Sequence, residues 1–255
     1  MFRSPYSLRN QGLPLSETAT SHRPAWPFVS WCRGGPADLA ALPALASPLL
    51  LRWEDLPHPV AQAGLVDRDA IMLAVELPPL HDAAFDVALR LAVGAGARAM
   101  VLPQVACEAD IQHLDICLTV IEEEEAASRP PASIIARPAD TPEGAAFAAD
   151  FRRLSRRLTA LLWDQAETRA ALGLAPDDTA DGQALLAHVR SRLLLSAHAA
   201  GLAALMALPA APPATQDEVQ ALRALCRNAL RQGFSGFVAG SRSQATLIAA
   251  PEEGD

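Results

Sequence analysis

The chain contains no lysine: all 21 of its basic residues are arginine. A Schiff-base aldolase, a pyridoxal-phosphate enzyme and a Walker-type nucleotide site each need a lysine amine, so all three are excluded. Aromatic residues make up only 5% of the sequence, and the net charge is −8 with no basic stripe. That combination argues against a nucleic-acid partner. The four cysteines, Cys32, Cys107, Cys117 and Cys226, form no C-x-x-C pair. They read as buried or idle thiols rather than as a disulfide framework or a zinc site. No G-x-S-x-G nucleophile elbow occurs, and histidines 22, 58, 81, 113, 188 and 198 show no metal-type spacing. No apolar run approaches the ~20 residues that span a bilayer, so no membrane segment is expected. Residues 1–25 are polar and turn-rich and lack the apolar stretch of a signal peptide. We read them as a loose extension ahead of a domain at 26–255, in a protein expected to be cytoplasmic.

What is present is a large core and a regular alternation. The chain has 255 residues, of which 51% are hydrophobic, enough for one large barrel or two small domains. Short apolar runs predict strands at Pro27–Trp31, Pro48–Trp53, Ala70–Val75, Ala99–Val105, Ser133–Ala136, Leu158–Trp163, Ala203–Ala207 and Gly236–Ala239. Segments with 3.6-type spacing predict helices at Ala83–Ala95, Ile111–Glu125, Ala145–Arg157, Gly182–Ala200 and Gln216–Gln232. Eight strands alternating with helices predict a single (β/α)8 TIM barrel, α/β in class, with a parallel eight-stranded sheet inside outer helices. A doubly wound open sheet is the runner-up, and its dinucleotide-binding version is disfavoured because no G-x-G-x-x-G follows the first strand. Asp140 or Thr141 is placed to cap a helix that begins Pro142-Glu143. Gly201 is placed as a helix C-cap ahead of the seventh strand. The run Glu122–Glu125 reads as a solvated helix face, and His198 as a packing residue.

Chemistry in such a barrel sits at the C-terminal ends of the strands. There the sequence places Arg52, Glu54 and Asp55 after the second strand, Glu76 after the third and Gln104 after the fourth. Asp140 follows the fifth strand, Asp164 and Glu167 the sixth, and Arg242 the eighth, whereas Met206 to Pro213 after the seventh are apolar and proline-rich. A rim of carboxylates with little histidine offers hard oxygen ligands of the kind that suit Mg²⁺ or Mn²⁺. Such an ion, chelated by a 2-oxo acid or a thioester carbonyl, stabilises an enolate. The plain alternative is that strand-end acids cap the following helices.

In order and spacing from about Pro27 to Pro251, the chain resembles the citrate lyase beta-subunit-like branch of the HpcH/HpaI aldolase superfamily. "PLLLRWEDLPHP" (48–59) is similar to that family's apolar strand ending in an acidic Glu-Asp pair, matched by Glu54 and Asp55. "GARAMVLPQV" (96–105) is similar to its strand ending Pro-Lys-Val, with Gln104 at the lysine. "LLWDQAETRAALG" (161–173), "SAHAAGLAAL" (196–205) and "GFSGFVAGSRSQATLI" (233–248) are similar to its last three strand regions. The resemblance implies a (β/α)8 barrel that makes or breaks carbon–carbon bonds with Mg²⁺, acting on acyl-CoA thioesters or 2-oxo acids. It implies metal ligation by Asp140, in the place of a family glutamate, and by Glu167, with Asp164 as an alternative. Glu54, Asp55 and Arg52 are then catalytic candidates. Arg137, Gln104 and Arg33 are candidates for binding a small carboxylate or CoA thioester, and a homo-oligomer is expected.

The sequence also departs from that pattern. The family's carboxylate-gripping arginine in the third strand is matched by Ala74 of Ala74-Val75-Glu76, its acid after the seventh strand by Met206, its Pro-Gly after the first by Ser30-Trp31, and its His-Pro after the eighth by Ser241-Arg242. Its final helix has no counterpart after "APEEGD". Arg137 and Pro138 replace apolar residues just before Asp140, where Arg137 is placed to neutralise the acid and stand in for an ion. Three readings follow: an Mg²⁺-dependent lyase with an altered substrate range, a catalytically degenerate barrel serving as a binding or assembly subunit, and a thioester hydrolase on the same site.

Overall fold

The computed structural model describes residues 31–35, 48–56, 73–125, 130–146, 150–175 and 180–249. The expected N-terminal extension and most of the expected first strand lie outside these residues. Eight parallel strands close into a barrel in the order β1 to β8, with β8 pairing back on β1. The strands are β1 (Trp31–Arg33), β2 (Leu49–Arg52), β3 (Leu73–Glu76), β4 (Ala99–Leu102), β5 (Ser133–Ala136), β6 (Leu158–Trp163), β7 (Ala203–Ala207) and β8 (Gly236–Ala239). The described helices are α1 (Phe85–Gly94), α2 (Glu108–Glu124), α3 (Pro142–Ala146), α4 (Gln165–Ala171), α5 (Ala180–Ala200), α6 (Gln216–Gln232) and α7 (Arg242–Ala249). This is the single (β/α)8 barrel that the alternation predicts, and the open doubly wound sheet is discarded. No helix among the described residues is long and apolar enough to cross a membrane.

The two-residue period of each strand sorts its side chains into two layers. One face packs outward under the helices: Leu49, Leu51, Val75, Met100, Leu102, Ile134, Leu161, Trp163 and Met206 share a cluster with helix residues such as Leu89, Leu114, Leu118 and Val189. The other face fills the barrel: Trp31, Leu50, Ala74, Val101, Ile135, Leu162, Leu205 and Val238 form a separate cluster. Several of the inward positions, including Ala74, Ala99, Ala160 and Ala207, are alanine. The barrel is therefore plugged by a few large side chains and is not an open pore.

Strand limits differ from expectation where a neighbour overrides the apolar run. β1 extends to Arg33 because Trp31 and Cys32 are held in register by Val238 and Ala239 on one side and Cys32 by Leu49 on the other. β2 stops at Arg52, since Trp53–Asp55 closes a 3-10 turn sealed by the Leu56 N–H donating to the Trp53 carbonyl. β4 stops at Leu102 because Pro103 has no N–H to offer the ladder and Gln104 turns to φ 54. The helix expected over Ala145–Arg157 does not continue past α3 among the described residues. Arg153 adopts φ 60 and Phe151 is buried, so this stretch runs as turns into β6. Gly201 caps α5 at φ 70, as expected.

The expected solvated face at Glu122–Glu125 is in part a bolt under the barrel. Glu122 accepts from the Ala132 N–H and pairs with Arg157 at 2.8 Å, and Arg157 also reaches Asp115 at 2.8 Å. Glu124 pairs with Arg90 of α1 at 2.7 Å. His198 is exposed and not buried as packing; it lies against Gly233, where an added Cβ would come within 2.7 Å of its ring.

Candidate functional site

The barrel's inward period continues past the apolar layer into its C-terminal mouth. Two residues beyond Trp31, Leu50, Ala74, Ile135 and Leu162 stand Arg33, Arg52, Glu76, Arg137 and Asp164. Each therefore projects on the inner side of its strand. Asp140 reaches the same place by another route. Arg137 leaves the extended conformation at φ −113, ψ 83, and Pro138–Asp140 form a 3-10 turn that folds the acid back over the mouth. The Thr141 hydroxyl accepts the Gly144 N–H and starts α3, so Thr141, and not Asp140, is the cap. Asp140 is thereby left for the site. Gly144 allows this fold-back, because any Cβ there would collide with the carbonyl oxygen of Pro138.

Five of these side chains form an alternating chain of charge. Asp164 Oδ2 accepts from Arg33 Nη2 at 3.0 Å, and the same guanidinium lies 3.9 Å from Glu76 Oε2. Glu76 Oε1 accepts from Arg137 Nη1 at 2.8 Å, and Arg137 Nε donates to Asp140 Oδ2 at 2.6 Å. The Arg137 and Asp140 side chains are 4% and 3% exposed, Glu76 is 15% and Asp164 8%. In so dry a setting an unpaired charge is costly, which is why these groups are paired. Burial works against the charge of Arg137, yet Asp140, Glu76 and Asp164 together outweigh it and hold its pKa above the ordinary value. Burial raises the Asp140 carboxyl to about 6, against the pull of Arg137, and the charges of Asp164 and Glu167 add to the rise. Three carboxylates against two guanidiniums leave the chain of contacts with a net charge of −1 when all are ionised.

Two valences in this cluster stay open. Asp140 Oδ1 and Arg33 Nε are buried atoms with no hydrogen-bond partner among the described residues. One is an acceptor on Asp140 and the other a donor on Arg33, whose Nη2 pairs with Asp164. Asp164 itself is satisfied, since its Oδ1 accepts the Ala166 and Glu167 N–H groups as N-cap of α4 while its Oδ2 takes Arg33.

Of the residues singled out from sequence, the structure brings Arg33, Arg137, Asp140 and Asp164 together. Glu167 is exposed on the first turn of α4, close enough for its charge to act on Asp140. Arg52 and Glu54 are exposed on the rim and Asp55 is half-buried there, the two acids lying on the 3-10 turn and not on the strand. Gln104 is exposed at the end of β4. Glu76 was seen as a strand-end acid but not as a site residue. Its signal was the alternation Ala74, Val75, Glu76, which puts it in phase with the barrel interior. Met206, which matches an acid of the family, points outward into the strand–helix layer; the inward residue there is Ala207.

The acids of the mouth are largely engaged by guanidiniums and backbone, which leaves few oxygens open to a divalent ion. Asp140 Oδ2 is engaged by Arg137 at 2.6 Å. Asp164 is spent on Arg33 and on its cap. Among the described residues no group of three or more His, Cys, Asp or Glu converges on a common ion position. The cationic position beside Asp140 and Glu76 is filled by a guanidinium.

No protein-family profile matches the chain, and no curated protein matches it in sequence. Solved structures match its fold. A citrate lyase from Burkholderia xenovorans superposes with a TM-score of 0.69 at 17% identity, over 89% of this chain and 78% of that one. A citrate lyase beta subunit from M. tuberculosis, complexed with oxaloacetate and magnesium, gives 0.62 at 23% identity, over 89% of this chain and 96% of that one. The protein CitE from the same organism, in complex with magnesium, acetoacetate and coenzyme A, gives 0.60 at 23%, over 86% and 79%. At these identities the likeness is one of fold: the chain has the eight-stranded barrel of the citrate lyase beta subunits.

Proposed function

We propose that this chain is a divergent member of the citrate lyase beta-subunit-like branch of the HpcH/HpaI aldolases that works without a divalent metal, as a binding or assembly subunit and not as a lyase. The observation that carries this reading is the buried Arg137 guanidinium, ion-paired at once with Asp140 and Glu76. A cation fixed by the chain itself cannot be displaced from the two carboxylates without leaving buried charge unpaired. It offers hydrogen bonds and charge, but no open coordination position on which a carbonyl could be polarised. The engagement of Arg33 with Asp164 points the same way, since it ties up a guanidinium that would otherwise grip a ligand carboxylate bidentately.

A second reading keeps an active carbon–carbon lyase, dependent on Mg²⁺ or Mn²⁺, acting on an acyl-CoA thioester or a 2-oxo acid. One observation favours it: the buried Asp140 Oδ1 has no partner among the described residues, and a cation there would supply one. The solved barrels in complex with magnesium, oxaloacetate or coenzyme A make carboxylates and CoA thioesters the ligands to try first.

Calorimetric titration of the purified chain with Mg²⁺ and Mn²⁺, with and without oxaloacetate, separates the two. The metal-free reading expects no heat of divalent binding in either case and no turnover of citryl- or malyl-type CoA thioesters. Saturable divalent binding that vanishes in Asp140→Ala would overturn it in favour of the lyase.

A further inference from the structure

Large apolar side chains that stay exposed are not scattered over this barrel. Among the described residues there are seven, and all lie on four helices in two groups. Val87 of α1 with Ile116 and Val120 of α2 form the first, Ile116 at 65% exposed. Four leucines of α5 and α6 form the second, Leu195 at 70%. Ile116 and Val120 are four residues apart and share one helix face. Arg90 of α1 pairs with Glu124 of α2 at 2.7 Å. Val87 and Val120, each about one turn earlier, are therefore level on neighbouring helices. On the other side His198 lies against Gly233, so Leu195 and Leu230, each three residues earlier, are level on α5 and α6. Grouped exposure of this kind marks an interaction face, which isolated exposed residues do not.

The two faces carry opposite charge. α2 ends in Glu122 to Glu125 with no base in its last turn, against a helix dipole whose C-terminal end favours cations. Glu122 and Glu124 have arginine partners. Glu123 and Glu125 are exposed and have no ion pair among the described residues. On α5 and α6 the acids Asp181, Asp217 and Glu218 are confined to the first turns, and every charged residue after them is arginine. Among these, Arg192 stands three residues from Leu195, and Arg231 is exposed in the last turn of α6. Helices of a parallel barrel run back against the strands, so their C-terminal ends share one height, opposite the mouth. Two copies set side by side with parallel barrel axes therefore bring the acidic end of one level with the basic end of the other.

We propose that the α1–α2 face of one molecule docks on the α5–α6 face of a second copy of this chain. Ile116 and Val120 pack against Leu195, and Glu123 and Glu125 meet Arg192 and Arg231 around them, an apolar centre within a charged rim. A two-fold pairing of either face with itself is disfavoured, because it sets like charges together. The faces lie outside β3–β5 and outside β6–β8, on different sides of the ring of strands. The contact is therefore head-to-tail and repeats from copy to copy, as a closed ring or an open chain. It goes beyond the reading of the mouth and does not depend on it.

Sedimentation velocity of the full chain over about 1–100 μM, the range of modest specific affinities, tests this. Association beyond the monomer is expected. It should weaken as salt rises from about 0.1 to 1 M, where the screening length falls from about 10 to 3 Å. Glu123→Arg and Arg231→Glu are each expected to weaken it roughly tenfold or more by opposing like charges. The double variant exchanges the signs across every contact and is expected to recover it, which general damage to the fold cannot imitate. Ile116→Ser is expected to weaken association at either salt. A monomer at every concentration overturns the proposal and leaves the faces to a different partner. Association indifferent to both single reversals, or a double variant no better than the singles, overturns it by placing the contact elsewhere. None of these residues belongs to the mouth, so either failure leaves the metal-free reading standing. Divalent binding lost in Asp140→Ala overturns that reading without touching this one.

Discussion

Replacing Arg137 by methionine removes the close partner of two buried carboxylates, leaving Glu76 only the more distant Arg33 at 3.9 Å, while keeping most of the side chain's packing. Asp140 and Glu76 are 3% and 15% exposed, so neither recovers much hydration when its partner goes. Breaking a buried pair from one side costs about 3–5 kcal/mol. The pH dependence sharpens this. In the wild type the folded Asp140 carboxyl titrates near 6, above its ordinary 3.8. The folded state therefore holds that proton more tightly than the unfolded chain does. The associated stability is present below about pH 4 and is lost as pH rises to about 6, a loss of about 3 kcal/mol for a shift of this size. Beyond that the wild-type contribution is flat. In Arg137→Met the downward pull on Asp140 is gone, its folded pKa climbs further, and the loss continues through neutral pH.

Urea unfolding of both proteins between about pH 5 and pH 8 checks this. The deficit of Arg137→Met is expected to be about 1–2 kcal/mol at pH 5, where Asp140 holds its proton in both, and to widen towards 3–5 kcal/mol at pH 8. Adding Asp140→Asn is expected to remove most of the widening, because the group that titrates is then absent. A deficit that stays constant with pH, or that remains under about 1 kcal/mol at pH 8, refutes the account of the buried ion pairs.

Two further outcomes follow from backbone contacts around the mouth. Gly144→Ala drives a Cβ into the carbonyl oxygens of Pro138 and Val105, which are backbone and cannot swing aside. A loss of about 3 kcal/mol in thermal unfolding is expected, since overpacking against fixed backbone lies at the costly end of its range. Gln244 is 1% exposed; its amide nitrogen donates at 2.8 Å to the carbonyls of both Pro209 and Ala211, and its oxygen accepts from the Gly240 N–H. Gln244→Leu is expected to cost about 2–3 kcal/mol by stranding these groups. Gln244→Glu should cost more at neutral pH, because a carboxylate then faces two carbonyl oxygens, and should recover in acid. A Glu variant as stable as wild type at pH 7 contradicts the assigned hydrogen bonds.

Much of the barrel was legible because its strands are bounded apolar runs. β5 to β8 fall within the predicted limits, where Ser133–Ala136, Leu158–Trp163, Ala203–Ala207 and Gly236–Ala239 are each flanked by turn or helix signals. β1, β2 and β4 shifted because closure of the sheet, a 3-10 turn and a proline set their ends, and none of these is carried by hydropathy. Asp140 and Arg137 could be picked out as a charged interruption after a core strand. Their ion pair depends on the backbone fold-back at Pro138–Asp140, for which the sequence offers only Pro138 as a hint. Glu76 was hidden because its role is set by phase and not by type. Counting in twos from Ala74 would have placed it inside the mouth.

The absence of lysine, which first served to exclude chemistries, also bears on how the site holds itself together. Arg137 uses Nε for Asp140 and Nη1 for Glu76, at 2.6 and 2.8 Å, so one planar group bridges an acid on the turn after β5 and an acid at the end of β3. An ammonium is a compact point charge on a stem and cannot present two donors in that fixed fork. Arg137→Lys is therefore not conservative here, although it keeps the charge. It is expected to retain one carboxylate partner and deprive the other of its close one, with a stability between those of wild type and Arg137→Met. If the lysine variant matches wild type in urea unfolding across the pH range, charge alone suffices and the fork geometry carries no weight. If it falls in between, the mouth is held by a guanidinium as a shaped group, which is the property that allows a side chain to occupy a cation's place.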